Sequence, residues 1–214
     1  MHTLPPQILY PDCDGEPISD NTRQFRWIVT VKEGLDYLFR ADPNVFVAGD
    51  LLWYPVEGDP KIRVAPDALV VSGRPKGDRG SYRQWEEDGI PPQVVFEILS
   101  PGNSFRKMLE KLRFYERYGV QEYYLYDPDV GTLEGFLRQQ DELIPIPEME
   151  GWNSPRLGIR FGLVGLDLDL RDPEGKPFVS FGEALAQAEH ERQRADLLAE
   201  KLRQLGVDPD TLIP

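Results

Sequence analysis

The chain has 214 residues, 40% hydrophobic, 11% aromatic and 29% charged, with a formal net charge of −13 at pH 7. This is ordinary globular usage, enough for one domain with an appendage and for a core that needs neither disulfides nor a structural metal. The single cysteine, Cys13, excludes an internal disulfide and points to a reducing compartment. No apolar run reaches the length of a membrane span. The opening MHTLPPQILY lacks the basic start and apolar stretch of a secretion signal, so the expectation is a soluble cytoplasmic protein.

The acidic balance argues at first against nucleic acid, since phosphate contacts need Lys and Arg. The charge is uneven, however. Residues 61–118 hold 11 Lys and Arg against 8 Asp and Glu, while the rest of the chain holds 13 against 29. One basic surface on an acidic protein is compatible with that distribution, and so is charge tuned only for solubility.

In chain order, residues 1–20 hold four prolines and no periodicity, and read as an extended arm. Residues 21–40 place Phe25, Ile28, Val29, Leu35, Leu38 and Phe39 at helical spacing, with Asn21 or Thr22 as the cap. Val45–Tyr54 reads as one strand, and Asp67–Val71, opened by Pro66, as a second. Residues 73–92 form a long Gly- and Pro-rich loop, a length that is usually functional or disordered. Gln93–Leu99 is a compact buried strand; Ser104–Tyr118 is a helix, capped by Ser104 or Asn103 and stopped by Gly119. Glu122–Tyr126 is a further strand, so 93–126 reads as a β–α–β crossover. Leu133–Leu137 and Leu143–Ile146 read as a hairpin, Leu157–Phe161 as a last strand, and Phe181–Leu205 as a charged helix. The organisation expected is an arm (1–20), a mixed α/β domain (21–170) and a C-terminal helix (181–206).

Two carboxylates stand at strand ends. Asp67 opens VAPDALVV, and Glu97 lies inside the apolar VVFEILS with Val95 and Leu99 on its own face. A carboxylate there is costly unless it is paired or bound to a metal. Two or three oxygen ligands with open positions suit Mg²⁺ or Mn²⁺, which can polarise a phosphodiester and activate water. Lys107 and Lys111 stand four apart, on one face of the following helix, where an ammonium could stabilise developing negative charge. Asp50 on the neighbouring strand is a third candidate ligand, and Glu33 on the first helix an outer carboxylate. The plainer readings stay open: Asp67 as a turn cap, Glu97 paired with Arg106 or Lys111 in a structural ion pair, and the lysines as a solvated helix face. Tyr115 and Tyr118 read as packing on the sheet.

Pro66–Asp67, FEILSP at 96–101 and EKLRFYERYGVQEYYLYDPD at 110–129, in that order, resemble the Uma2 family of the PD-(D/E)XK nuclease superfamily over about residues 22–170. The resemblance implies a restriction-endonuclease-like fold, a mixed sheet flanked by helices, here with a C-terminal helical extension. It implies a divalent-metal-dependent endonuclease acting on nucleic acid, and of the two nucleic acids DNA is the favoured partner over RNA. Asp67 and Glu97 match the acidic positions. The lysine expected two residues after the glutamate is replaced by Leu99, and Lys111 matches the family's helical lysine. The rivals are a non-catalytic binding or assembly module on the same fold, and a metal-dependent hydrolase with another substrate.

Other signals fail on chemistry. The calcium-loop-like DPDVG and DCDG put Arg138 and Arg23 where a bidentate Glu belongs. GRPKGDRG lacks the ending of a P-loop. With only His2, His190 and one cysteine, zinc sites and His-based triads are all but excluded. In the last helix Leu185, Ala188, Ala195, Ala199 and Leu202 fall at three- and four-residue steps, interrupted by Arg192, a thin seam consistent with a homodimer.

Overall fold

The computed structural model describes residues 8–13, 15 and 17–208. By contact density the chain divides into Met1–Phe178 and Val179–Pro214.

The first unit is built on a six-stranded sheet. It uses β1 (Val45–Ala48), β3 (Ala68–Ser72), β5 (Val94–Ile98), β6 (Glu122–Asp127), β7 (Thr132–Gln139) and β8 (Glu142–Pro145), in spatial order β1-β3-β5-β6-β7-β8. All neighbours are antiparallel except β5 and β6, which are parallel and joined by α2 (Phe105–Arg117). Parallel neighbours need a long crossover, and the amphipathic 104–118 segment supplies it. Ser104 accepts the Lys107 N–H at 3.3 Å to start α2, and Gly119, at φ +93°, ends it.

α1 (Thr22–Leu38) covers one face of the sheet. Asn21 accepts the backbone N–H of Arg23 and Gln24 at 3.0 and 2.9 Å. Its buried stripe is Gln24, Trp27, Ile28, Thr30, Val31 and Leu35, packed with Val70, Phe96, Ile98, Tyr124 and Tyr126. Phe25 and Val29, expected on that stripe, face outward. The stripe is rotated toward Trp27 and Val31, which periodicity alone does not separate from their neighbours. The opposite face carries α2, with Leu69, Val71, Val95, Tyr115, Tyr123 and Leu125 in its core.

The expected strand 45–54 is two elements. At Asp50 the backbone turns to φ +48°, a conformation Asp tolerates better than most residues. The chain then leaves the sheet as β2 (Trp53–Tyr54), paired in parallel with β4 (Tyr82–Arg83). The 73–92 loop therefore has its own structure: β4, a 3-10 turn at Gln84–Glu86, and Glu87 held by Arg74 and Arg79 at 2.8 and 2.6 Å.

The last expected strand is a hairpin, β9 (Arg160–Val164) with β10 (Asp167–Arg171), and its residues Phe161, Leu168 and Leu170 join the α1-side core. Glu122, fully buried on β6, anchors the segment before it. Its carboxylate accepts the Tyr124 hydroxyl at 2.9 Å, the Arg156 N–H at 2.8 Å and the Ser154 hydroxyl. In the second unit α3 (Phe181–Gln204) starts at a capping box, in which Ser180 and Glu183 bond reciprocally, and none of its residues is buried. Among the described residues no helix is long and apolar enough to cross a membrane.

Candidate active site

Strand register brings the two acids together. Ala68 pairs with Phe96 across β3 and β5, so the next step outward sets Asp67 opposite Glu97, on the α2 face. Asp67 lies just before the ladder begins, and its Oδ2 accepts the Ile98 N–H at 2.6 Å, so the side chain continues the pairing that the backbone leaves off. Beyond the Ala48–Leu69 pair the chain turns at Asp50, whose N–H donates to the Pro66 carbonyl at 3.1 Å, next to Asp67. Three acids thus gather where β1 ends, β3 begins and β5 ends, close enough for Asp50 and Glu97 both to act on Asp67. Asp67 and Glu97 are buried and Asp50 is exposed.

α2 supplies the cation. Lys111 Nζ donates to Glu97 Oε2 at 2.6 Å, and the Tyr115 hydroxyl, one turn further along, donates to Glu97 Oε1. Glu97 is 2% exposed, whereas the Lys111 side chain retains 26% and opens to solvent. Lys111, not Lys107, reaches the acids. Lys107 is exposed on the first turn of α2 and Arg106 pairs with Glu110, so the ion pair formed by Glu97 is the one with Lys111. Glu33 is exposed and takes the Lys32 ammonium at 3.0 Å.

Electrostatics follow from this crowding. Burial pushes the Asp67 carboxyl well above its ordinary range, and the Glu97 and Asp50 charges add to it; Lys111 and the Ile98 N–H oppose the rise without cancelling it. For Lys111, burial pulls the ammonium down, but Glu97 and Asp67 more than offset this and it stays charged to higher pH than usual. The Tyr115 phenol is driven far up, first by burial and then by Glu97, so it remains a donor. With Glu97 paired to Lys111, Asp67 is the acid whose charge lacks a matching cation, and a bound metal ion would favour its ionised form.

The donor set is hard oxygen, which fits Mg²⁺ or Mn²⁺. Among the described residues no three His, Cys, Asp or Glu side chains converge tightly enough to hold an ion on their own. A bound ion would therefore rest on Asp67 and Glu97 and fill its shell with water and substrate oxygens. The hydroxyl of Tyr115 on Glu97 is the feature sequence reasoning missed. Its signal was present, since Tyr115 follows Lys111 by four residues and so shares its helix face.

The first unit thus combines a mixed six-stranded sheet, two facing acids and a helical lysine. The chain belongs to the Uma2 family, described as "Putative restriction endonuclease", which matches residues 9–169. Among solved structures it is similar to one described as a "putative nuclease belonging to DUF820" from Anabaena variabilis, with 19% identity and a TM-score of 0.46, over 62% of this chain and 73% of that one. No curated protein matches the chain.

Proposed function

We propose that the Asp67–Glu97–Lys111 cluster is the active centre of a divalent-metal-dependent endonuclease that hydrolyses phosphodiester bonds in nucleic acid, DNA rather than RNA. The observation that carries this reading is the convergence of all three side chains from β3, β5 and α2, which restores the lysine that Leu99 replaces in the strand. Asp67 and Glu97 would hold Mg²⁺ or Mn²⁺, with Asp50 within electrostatic reach as a further oxygen donor. When bound, the ion supplies Lewis-acid polarisation of the phosphate and a water of lowered pKa. Lys111, a quarter exposed to solvent and anchored at Glu97, orients the attacking water and offsets charge building on the phosphate oxygens. Calorimetric titration of Mn²⁺ into the wild type and Asp67→Asn tests the site. Binding by the wild type alone supports it, and equal or absent binding removes it.

One observation favours a second reading, a binding or assembly module that keeps the fold without chemistry. Both oxygens of Glu97 are already satisfied by Lys111 and Tyr115, as a structural ion pair would require. Plasmid cleavage in Mg²⁺ or Mn²⁺ separates the two: metal binding without nicking supports the module. In either case we infer that α3 joins two copies of the chain, because none of its residues is buried and Leu185, Ala188, Ala195, Ala199 and Leu202 fall on one face of it.

A further inference from the structure

Glu97 is gripped from two sides by very different groups. Lys111 has a long flexible stem and keeps a quarter of its side-chain surface in solvent. Tyr115 is fully buried, and its ring lies parallel to Trp53 at 6.4 Å and edge-on to Tyr123 at 4.9 Å. Trp53 is itself fully buried and is pinned by its Nε1–H on Gln84 Oε1 at 3.1 Å. A phenol has only two side-chain torsions, and here packing fixes both, so its hydroxyl is held at one place relative to β5.

We propose that Tyr115 is the positioning residue of the site: its hydroxyl, fixed by the Trp53 stack, holds Glu97 turned toward Asp67 while Lys111 is free to move between Glu97 and substrate. This rests on the reading of Asp67 and Glu97 as metal ligands. A lysine that works on water or phosphate must at times release Glu97. With Lys111 as its only partner, a carboxylate buried at 2% exposure would then be unsatisfied and free to rotate. The tyrosine removes both difficulties. Partners that orient a ligating carboxylate in this way are worth about 10–100-fold in metal affinity.

The test is calorimetric titration of Mn²⁺ into full-length wild type, Tyr115→Phe and Tyr123→Phe. Tyr123 is the control: it is buried in the same cluster, yet among the described residues its hydroxyl has no hydrogen-bond partner. Tyr115→Phe is expected to bind Mn²⁺ about 10–100-fold more weakly, and Tyr123→Phe as tightly as wild type. Equal affinity in Tyr115→Phe overturns the positioning role and leaves the metal site standing. Equal losses in both variants overturn it as general softening of the core. No binding by the wild type defeats the metal reading and this role together. Should Tyr115→Phe unfold, Trp53→Phe shifts the ring platform and keeps the hydroxyl. It is expected to lose part of the affinity, and unchanged binding there also overturns the proposal.

Discussion

Lys111 Nζ lies 2.6 Å from Glu97 Oε2, although 14 residues and an element boundary separate them. The helix delivers to the acids a cation that the strand lacks at Leu99. Lys111→Met should therefore separate chemistry from metal binding. Cleavage is expected to fall by about 10²–10³-fold, the usual loss when a transition-state charge stabiliser is removed. Mn²⁺ affinity should hold or rise, because a competing cation leaves Glu97. Initial rates on supercoiled plasmid, set beside calorimetry, measure both. An unchanged rate would take Lys111 out of the mechanism.

Asp67 predicts a pH dependence of the opposite sign to that of most paired carboxylates. Burial, with Glu97 next, raises its folded value above its unfolded one, so its ionised form costs stability at neutral and alkaline pH. That cost is relieved as pH falls through the folded value, and is gone below the unfolded one. Asp67→Asn should accordingly raise the melting midpoint of the metal-free protein at pH 8 by roughly 2–4 °C, with the gain shrinking toward pH 4. A gain that is equal at both pH values would show that the charge is not the cause.

Much of this was legible in the sequence, and the exceptions have physical reasons. Glu97 announced itself, because a charge in VVFEILS has few explanations. The 104–118 helix and the parallel pair around it followed from amphipathic spacing and Gly119. The break at Asp50 was overlooked, because the strand-forming residues on both sides of Gly49–Asp50 in VFVAGDLLWY outweigh that turn-prone pair. β10 was missed because three of the five residues of DLDLR are charged and its ladder partner is β9, outside the six-stranded sheet. The four-residue spacing puts Lys111 and Tyr115 on one helix face, but their reach to the same carboxylate depends on how α2 seats on the sheet, which the spacing alone does not give.

The 73–92 loop should prove to be a folded element that depends on Glu87. The carboxylate is 12% exposed and bridges Arg74 and Arg79, whose own side chains are 16% and 13% exposed. Burial opposes its charge, but Arg79 and Arg74 prevail and hold it below the ordinary range. It thus adds stability above its unfolded value and loses it as pH falls through the folded one. Glu87→Gln is expected to cost roughly 1–3 kcal/mol at pH 7, with the difference fading at strongly acidic pH. Urea unfolding at the two pH values reads this directly, and a constant difference would mean that the packing of Glu87, not its charge, matters.

Deleting residues 179–214 tests the role of α3. The break after Phe178 falls where contacts within the chain divide, and the Phe178 ring packs beside Gly34 of α1, so the cut leaves that contact in place. The shortened protein should keep one cooperative melting transition and the Mn²⁺ affinity of the full chain, because every residue assigned to the site lies in the first unit. Its mass in solution should drop from that of a two-fold dimer to that of a single chain, as an isologous contact through α3 requires. Light scattering on both forms decides this. An oligomeric state that survives the deletion places the contact elsewhere, and a full-length monomer leaves α3 to a different partner.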